Sequence, residues 1–287
     1  MDSTRASKTA AQVIRVRADG VRQPARRDYL AGEEPLEIRL VSGEEMRQLA
    51  VTMRTPGSDF ELAAGFLFAE GIVQNRDAIQ SITYCVDRDL SEEQRYNVVN
   101  VTLAADRLPD VRALERHFIV SSACGVCGKA SIDAVLARGL RPLTSRQTVT
   151  PSVITGLTDQ LRQAQRLFEV TGGLHAVALF DLNGTLLALR EDVGRHNAMD
   201  KLVGWALLQN HVPLRDRIVL VSGRASFELV QKAAAAGIPT LCAISAPSSL
   251  AVSLARRLDM TLIGFLRDEH FNLYCGEQRL TFTAQHG

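Results

Sequence analysis

The chain of 287 residues is long enough for one large α/β unit or two modest domains, and its 46% hydrophobic and 23% charged residues are typical of globular proteins. A formal net charge of +1 excludes a global attraction to nucleic acid or to an anionic membrane, so we expect neither as a partner. No run of about 18 apolar residues occurs, and no apolar segment follows the basic N-terminus, which predicts a cytoplasmic protein.

The composition divides the chain into a tail and two parts. Residues 1–25 are rich in arginine and lysine and carry few large apolar residues, which is typical of a mobile tail. Residues 26–145 form the predicted N-terminal part, and the Pro/Thr-rich stretch R-P-L-T-S-R-Q-T-V-T-P-S separates it from residues 146–287. This stretch leads into a helix expected at about 152–169.

The N-terminal part is predicted to be a smaller α+β unit. An alternating stretch, E-P-L-E-I-R-L-V-S-G, predicts a half-buried strand. The stretch M-R-T-P-G-S-D-F-E-L then enters a helix, with Ser58 and Glu61 as a capping box and Gly71 at its end. Short strands are expected at about 79–86 and 97–103.

Two cysteines lie in the stretch S-S-A-C-G-V-C-G-K at residues 121–129, on a loop that enters a predicted helix. The chain has five cysteines, and this odd number argues against a secreted disulfide framework. The pair Cys124 and Cys127 is therefore expected to bind a metal or to react. The other cysteines lie in or end strand-like apolar runs and are interpreted as small buried hydrophobic side chains: Cys85, Cys242 and Cys275.

Several chemistries could use the C-G-V-C pair. A structural zinc site usually needs two such pairs, and Cys85 and His117 could complete this one only by chance of folding, so we expect no structural metal. A zinc deaminase would need H-x-E and P-C-x-x-C, but Ala123 replaces the proline and no such glutamate follows His117. A thioredoxin-type dithiol and a persulfide carrier both stay open, because Lys129 and the following helix N-terminus favour a thiolate.

The second half alternates strands with helices. The run H-A-V-A-L-F-D-L-N-G-T-L-L-A-L-R has two apolar segments joined at Asn183-Gly184, which predicts a β-hairpin. Three strand-loop-helix passages follow, then a last strand, M-T-L-I-G-F-L-R, and the run F-N-L-Y-C-G. This alternation predicts a largely parallel sheet with crossover helices on its faces.

Loops after the strands of such a sheet lie along one edge, where small and basic residues recur in this chain. Small residues let a ligand approach the backbone, helix N-termini offer N–H donors to an anion, and arginines pair with phosphates. We therefore expect a nucleotide or another phosphate-bearing ligand here, although no P-loop or dinucleotide fingerprint occurs. The candidates are Asp192, Gly194, Arg195, His196, Ser222, Gly223, Arg224, Ser245, Ser248 and Arg267.

The same loops also have a purely structural interpretation. Asp192 and Asn197 could cap helices, His196 could be a hydrogen-bonded loop residue, and Asp200 and Lys201 could lie on the solvated surface. The stretches S-G-R-A-S and S-A-P-S-S could be no more than caps and turns. The recurrence of such loops at three successive strand ends is what favours a ligand site.

These stretches together resemble the FdhD/NarQ sulfurtransferase family, which serves formate dehydrogenases. The resemblance lies in M-R-T-P-G-S-D-F-E-L-A-A-G-F-L-F-A-E-G-I, S-S-A-C-G-V-C-G-K, E-D-V-G-R-H-N-A-M-D-K, S-G-R-A-S-F-E-L-V-Q-K-A-A-A-A-G-I-P, S-A-P-S-S-L-A and G-F-L-R-D-E-H-F-N-L-Y. It implies a fold similar to that of cytidine deaminases. We therefore expect an α/β protein with a mixed or parallel sheet flanked by helices and a smaller N-terminal α+β part.

The family resemblance also implies a function. A member takes sulfur from a cysteine desulfurase and delivers it to the molybdenum or tungsten bis-guanine-dinucleotide cofactor that the formate dehydrogenase catalytic subunit needs. This implies that Cys124 carries a persulfide, that Cys127 is an assisting thiol, and that the protein is a homodimer. The cofactor-binding segment that the resemblance implies is Phe265, Leu266, Arg267, Asp268, Glu269 and His270. A cofactor-binding chaperone and a thiol-disulfide oxidoreductase are the alternatives.

Overall fold

The computed structural model describes residues 7–85, 91, 96–109, 133, 136 and 139–282. The described part of the first half forms two small antiparallel or mixed sheets and one long helix. Its elements are β1 (Lys8–Val13), β2 (Arg26–Ala31), β3 (Glu34–Ser42), β4 (Glu45–Arg54), α1 (Asp59–Ala69), β5 (Ile79–Tyr84) and β6 (Val98–Leu103).

The second half forms one large sheet and its flanking helices. Its elements are α2 (Pro151–Ala164), α3 (Arg166–Thr171), β7 (His175–Phe180), β8 (Leu186–Asp192), α4 (Arg195–Leu208), β9 (Ile218–Val221), α5 (Phe227–Ala235), β10 (Thr240–Ala243), α6 (Ser249–Arg257), β11 (Thr261–Gly264) and β12 (Asn272–Cys275). None of the described helices is long and apolar enough to span a bilayer.

The large sheet is mixed. Its strand order is β12-β11-β10-β9-β7-β8, and β9, β10 and β11 are parallel neighbours. The pairs β7–β8, β7–β9 and β11–β12 are antiparallel. The smaller N-terminal sheet has the order β4-β3-β6-β5. The predicted α/β class, a mixed sheet flanked by helices with a smaller N-terminal α+β part, is confirmed.

The predicted hairpin at Asn183-Gly184 is present as β7 and β8. The Asp181 carboxylate accepts hydrogen bonds from the N–H groups of Asn183 and Thr185 at 2.9 and 2.8 Å, and Gly184 adopts a φ of 81°. An Asp side chain that bonds the backbone ahead of it, followed by a glycine at positive φ, is a stable tight turn. Local sequence therefore determines this part of the sheet.

Each face of the large sheet is covered by helices. Side chains that alternate along the strands, such as Val219 and Leu241, point into a core with α4, α5 and α6. Their neighbours, such as Leu220 and Cys242, point into a second core with α2. Because both faces are buried, the central strands are four-residue runs of buried residues rather than alternating ones.

Helix α1 connects the two sheets. It packs its buried side against the N-terminal sheet and crosses α4 at two glycines, Gly65 and Gly204. A Cβ atom on Gly65 would lie 1.9 Å from the carbonyl oxygen of Asp200, and one on Gly204 would lie 1.8 Å from that of Glu61. The backbones of α1 and α4 can approach this closely only because neither glycine has a side chain.

The predicted capping box of α1 is wrong. Ser58 adopts a left-handed φ of 55° and makes no side-chain cap hydrogen bond. The Glu61 carboxylate instead accepts two hydrogen bonds from the Arg190 guanidinium, at 2.5 and 2.7 Å. A bidentate ion pair with β8 is stronger than the local cap, and it is invisible to a local pattern. The helix does end before Gly71, as predicted, and Gly71 has a φ of 75°.

Two other expectations differ from the structure. The described part of the predicted tail contains β1, which pairs antiparallel with β2 from Lys8↔Ala31 to Val13↔Arg26. Backbone hydrogen bonds of this kind need no large apolar side chains, so composition did not indicate the strand. The helix expected at 152–169 is two helices, because Gln165 has a non-helical ψ of 70°.

We predict that Gly65→Ala will lower the free energy of unfolding by more than about 2 kcal/mol, since its methyl group would collide with the backbone of α4. Gly156→Ala is the matched control, because Gly156 lies in α2 with no atom within 4 Å of the new Cβ. It should raise the same free energy by up to about 1 kcal/mol. Urea unfolding followed by far-UV circular dichroism measures both, and equal effects would contradict the close crossing.

Candidate functional site

The loops after β8, β9, β10 and β11 lie along one edge of the large sheet, as predicted. They are hydrogen-bonded to one another: Ser245 N–H donates to the Gly223 carbonyl at 3.4 Å, and Phe265 N–H donates to the Ser245 carbonyl at 3.2 Å. The β7 strand begins at the same edge, where His175 is paired with Asp192. The structure therefore brings Ser222, Gly223, Ser245 and Phe265 close together, with Gly194, Arg195 and His196 at the neighbouring start of α4.

A buried carboxylate organises the start of α4. Asp192 is fully buried and accepts hydrogen bonds from Gly194 N–H at 2.8 Å, Asn197 Nδ2 at 3.1 Å and Thr55 N–H at 3.1 Å. Lys201 Nζ lies 2.6 Å from the Oδ2 atom of Asp192 and forms an ion pair with it. Asp192 and Asn197 thus hold the backbone of this loop, but neither caps α4 as the structural interpretation of the sequence expected, because Gly194 is its N-cap residue and no side chain caps it.

The interpretation of Asp200 and Lys201 as surface residues is wrong, because both are 2% exposed. Lys201 pairs with Asp192, and Asp200 lies 2.6 Å from Lys232 Nζ on α5. Burial raises the pKa of the Asp200 carboxyl to about 6, against the opposing effect of the Lys232 charge. Charged residues at this density are typical of a surface, but here they connect α4 to its neighbours.

The loop between β4 and α1 joins this site, although sequence analysis had placed it only in the N-terminal part. Lys201 Nζ donates to the Thr55 carbonyl at 2.8 Å, and Thr55 Oγ1 accepts from Val193 N–H at 3.1 Å. Asn197 Nδ2 donates to the Met53 carbonyl at 2.7 Å. These partners are well over one hundred residues apart in the chain, so no sequence spacing could have revealed them.

Two histidines and an arginine face one another near the start of α4. Burial lowers the pKa of His175, and the nearby charges of Arg195 and His196 lower it further. His196 Nε2 lies 2.7 Å from Glu228 Oε2 and 3.2 Å from Ser226 Oγ. The Arg195 Nε atom is buried and has no hydrogen-bond partner within the described ranges of the chain. Arg195 as a whole is only partly buried, so its side chain lies within reach of a ligand at this edge.

A cavity of about 540 Å³ opens on the other face of the same edge, between α2, α3 and the strand ends. Of its described lining residues, only Ser222 was a sequence candidate. The lining residues are Thr158, Leu161, Arg162, Gln165, Phe168, Gly172, Gly173, Leu174, His175, Ser222 and Ile244. Sequence analysis missed most of them because they come from the two helices before the hairpin rather than from the strand-end loops.

The segment from Phe265 to His270 lies at this edge, but its side chains differ in what they can contact. Leu266 is fully buried in the core, so its side chain has no access to a ligand. Arg267 Nη1 donates to the carbonyls of Ile244 and Leu266 at 2.7 and 2.8 Å. Phe265, at a left-handed φ of 52°, is 39% exposed, and Glu269 and His270 are exposed.

The cysteine candidates fall into two groups. Cys124 and Cys127 lie outside the described residues, as does His117. Cys85 and Cys242 are buried, as interpreted, and Cys275 is partly buried with its Sγ 3.3 Å from the Met260 carbonyl. Burial raises the pKa of both Cys242 and Cys275, which keeps them as unreactive thiols. No group of three or more His, Cys, Asp or Glu side chains that could hold a metal occurs in the described segments.

The fold defines the chain as a mixed α/β protein. One edge of its central sheet carries the loops after the parallel strands, the basic start of α4 and a cavity. A family model described as the FdhD/NarQ family matches residues 31–281. The chain therefore belongs to the FdhD/NarQ family, as its motifs indicated.

Individual relatives agree with this assignment. A Streptomyces coelicolor protein named sulfur carrier protein FdhD is 51% identical over 279 residues, 96% of each chain. A Mycobacterium tuberculosis protein of the same name is 50% identical over 260 residues, covering 89% of this chain and 93% of its own length. A crystal structure from Desulfotalea psychrophila, described provisionally as a formate dehydrogenase accessory protein, has a TM-score of 0.73 at 26% identity and covers 96% of this chain and 100% of its own.

We predict that Lys201→Met will lower the free energy of unfolding by about 3–5 kcal/mol, because the Asp192 carboxylate would stay buried without its cation. The double variant Asp192→Asn/Lys201→Met should cost less than the sum of the two single changes. Arg257→Met, at an exposed position near the end of α6, is the control and should change it by less than about 0.5 kcal/mol. Additive urea-unfolding energies for the pair would contradict the buried ion pair.

Proposed function

We propose that this protein is a sulfurtransferase that accepts sulfur on Cys124 from a cysteine desulfurase and passes it to the molybdenum or tungsten bis-guanine-dinucleotide cofactor used by a formate dehydrogenase. The observation that carries the proposal is the sequence identity of 50–51%, over 89–96% of this chain, to proteins named sulfur carrier protein. The cytoplasmic location that the sequence predicts and the homodimer that the family resemblance implies belong to the same proposal.

The proposed chemistry needs a nucleophilic thiolate. The Cys124 thiolate attacks the outer sulfur of the donor's persulfide, the S–S bond of the donor breaks, and the donor cysteine leaves as a thiolate. The sulfur is then held as a Cys124 persulfide. On transfer the persulfide S–S bond breaks with its electron pair on Cys124, and the acceptor metal supplies the two electrons that turn the sulfur into sulfide. Cys127 is the assisting thiol in this scheme.

The edge of the large sheet suits the acceptor in this proposal. The cofactor carries diphosphates and guanines, and it enters as a substrate that accepts sulfur. The partly buried Arg195 side chain and the N-terminus of the 14-residue helix α4 supply donors for phosphate oxygens. The cavity beside Ser222 supplies a half-apolar space for a ring. These features support a site that binds the cofactor while Cys124 delivers sulfur.

We predict that the wild-type protein, incubated with a cysteine desulfurase and free cysteine without reductant, will gain one sulfur atom on the peptide that contains Cys124. Intact mass spectrometry followed by alkylation and peptide mapping measures this gain. Cys124→Ala should abolish it and should leave a co-expressed formate dehydrogenase inactive. Cys242→Ala is the control, since that thiol is fully buried.

Two patterns would contradict the carrier role. If Cys124→Ala retains full activation of formate dehydrogenase while Arg195→Ala abolishes it, the protein is a cofactor-binding chaperone and not a sulfur carrier. If both Cys124 and Cys127 are needed to reduce a general disulfide substrate and no sulfur is gained, the protein is a thiol-disulfide oxidoreductase.

We predict that GDP raises the thermal midpoint, because a ligand that binds only the native state stabilises it. At about 100 times its Kd, GDP would add roughly 2.7 kcal/mol and raise Tm by about 5 °C. Arg195→Ala should reduce this shift, whereas Arg257→Met, at the far end of α6, should retain it. An unchanged midpoint at millimolar GDP would count against a guanine-nucleotide site.

A further inference from the structure

Residues 14–27 form the outer part of a β-ribbon that has no hydrophobic core. The ribbon continues β1 and β2 outward: Gln23 N–H donates to the Arg15 carbonyl at 2.9 Å, and Arg17 N–H donates to the Val21 carbonyl at 3.0 Å. Every residue from 14 to 27 is exposed, and β1 and β2 pair with no other described strand. A two-stranded ribbon by itself is at best marginally stable in water. Residues 14–27, here called the arm, therefore present a regular surface that the described part of the chain does not bury.

A short turn fixes the tip of the arm. The Asp19 carboxylate accepts from Val21 N–H at 3.1 Å and lies 3.2 Å from the Arg17 guanidinium, and Gly20 has a φ of 81°. A three-residue turn with a glycine at positive φ is a common hairpin connection. At about 3.3 Å per residue, the tip extends roughly 16 Å beyond the paired strands β1 and β2. The arm is therefore preorganised and long enough to enter a cleft, and preorganisation lowers the entropic cost of binding.

The arm concentrates positive charge that the whole chain does not show. Its five arginines and one aspartate give it a net charge of +4, although the formal net charge of all 287 residues is +1. It contains no lysine, and its arginines are Arg15, Arg17, Arg22, Arg26 and Arg27. A guanidinium pairs with a carboxylate through two parallel hydrogen bonds, which a lysine cannot form. The charge of the arm therefore favours a partner with an acidic surface.

Aliphatic side chains alternate with these arginines on both faces of the arm. Val16 is paired with Arg22, and Arg17 lies opposite Val21, so the two valines point to opposite faces. Ile14, Val16 and Val21 are 43%, 59% and 52% exposed. An anionic membrane would contact one face only, and the phosphates that dominate binding to nucleic acid would leave the aliphatic side chains uncovered. A protein cleft can cover both faces, and protein interfaces are enriched in arginine and depleted in lysine.

The base of the arm lies beside α3. Gly32 N–H donates to the Ser7 carbonyl at 2.8 Å, which closes the ribbon at this end. Strand β2 packs against α3 here, and a Cβ atom on Gly173 would lie 3.5 Å from the Cβ atom of Ala31. Gly173 and Phe168 are also lining residues of the cavity. The ribbon that carries the arm therefore starts at the wall of the cavity.

We propose that the arm docks the formate dehydrogenase catalytic subunit by entering an acidic cleft with apolar walls on that subunit. The inference rests on the proposed function and names the docking surface for the enzyme that receives the cofactor. This enzyme has to approach the cavity that the proposed function assigns to the cofactor, whereas the sulfur donor needs access only to Cys124. The arginines of the arm pair with carboxylates of the cleft, while Ile14, Val16 and Val21 contact its apolar walls.

The test measures binding of the purified, cofactor-free formate dehydrogenase catalytic subunit to the full chain by surface plasmon resonance. Arg15→Glu/Arg22→Glu should weaken binding at least about tenfold, because it replaces two attractions by repulsions. Arg215→Glu/Arg257→Glu is the matched control, since it makes the same change in net charge at exposed positions outside the arm. The control should bind within about twofold of the wild type, and wild-type affinity should fall as the salt concentration rises.

Two further variants test the apolar contacts and the arm as a whole. Val16→Thr keeps the shape of the side chain and should weaken binding at least about threefold, because the cleft would bury its hydroxyl group. Val51→Thr is the control on β4, where the valine is 57% exposed, and should bind like the wild type. Replacing residues 14–25 by Asn-Gly joins Val13 to its partner Arg26 through a two-residue turn. This variant removes only exposed residues and should abolish binding.

Three results would overturn the inference. The first is an unchanged affinity of the subunit for the arm variants, and the second is a wild-type protein that does not bind the subunit at micromolar concentration. The third is equal binding of the subunit by all variants together with arm-dependent binding of phosphatidylglycerol vesicles or a DNA duplex, or an arm-dependent dimer in sedimentation. That result would assign the arm to a lipid surface, a nucleic acid or a second copy of this chain.

Sulfur gain on Cys124 in the same variants distinguishes this inference from the proposed function, because loading from a desulfurase does not require the formate dehydrogenase. If binding of the subunit is independent of the arm while Cys124 still gains sulfur, the docking surface is wrong and the carrier role stands. If binding needs the arm while Cys124 gains no sulfur even in the wild type, the docking surface stands and the carrier role falls. If the arm variants lose sulfur gain but bind the subunit normally, the arm serves the donor and the inference is wrong.

Discussion

The contact between the two halves of the chain depends on one buried carboxylate, which needs hydrogen-bond donors and a cation around it. Asp192 has no access to water, so its charge must be balanced by Lys201 and by N–H donors from both halves of the chain. Removing a charge from water costs several kcal/mol unless such partners are present. The stretch E-D-V-G-R-H-N therefore takes its conformation only when the loop at Thr55 is docked against it. Formation of the site and association of the two sheets are consequently one event.

The close crossing of α1 and α4 makes this docking possible. Gly65 and Gly204 let the two helix backbones touch, which brings the start of α1 and its preceding loop beside the start of α4. Wider helices would leave Thr55 out of reach of Lys201. Two motifs that are far apart in the chain, T-P-G-S-D and G-R-H-N, thus serve the same edge of the large sheet. The glycines in both helices are explained by this geometry rather than by flexibility.

Local patterns predicted the elements better than their contacts. The hairpin at Asn183-Gly184, the strand-loop-helix passages and the end of α1 near Gly71 all follow from short-range chemistry, and each was predicted. The capping box failed because Glu61 has a stronger partner on β8, and Lys201 was misplaced because burial of a charge depends on distant donors. The burial of Gln165 was not indicated by the sequence, because a glutamine in a polar stretch usually lies on the surface. Contacts between residues this far apart in the chain depend on tertiary packing, which local sequence patterns do not reveal.

The two faces of the large sheet give the site different properties. On the α4 face, Arg195, His196 and Glu228 create a charged, hydrogen-bonding surface. On the α2 face, the cavity offers apolar walls, uncharged polar groups and the guanidinium of Arg162. Since the strand-end loops are only a few residues thick, a ligand with an anionic middle and flat neutral ends can contact both faces at once. A phosphate or a free base would occupy only one face. In the proposed function, the acceptor cofactor would use both faces, because it combines phosphates with flat rings.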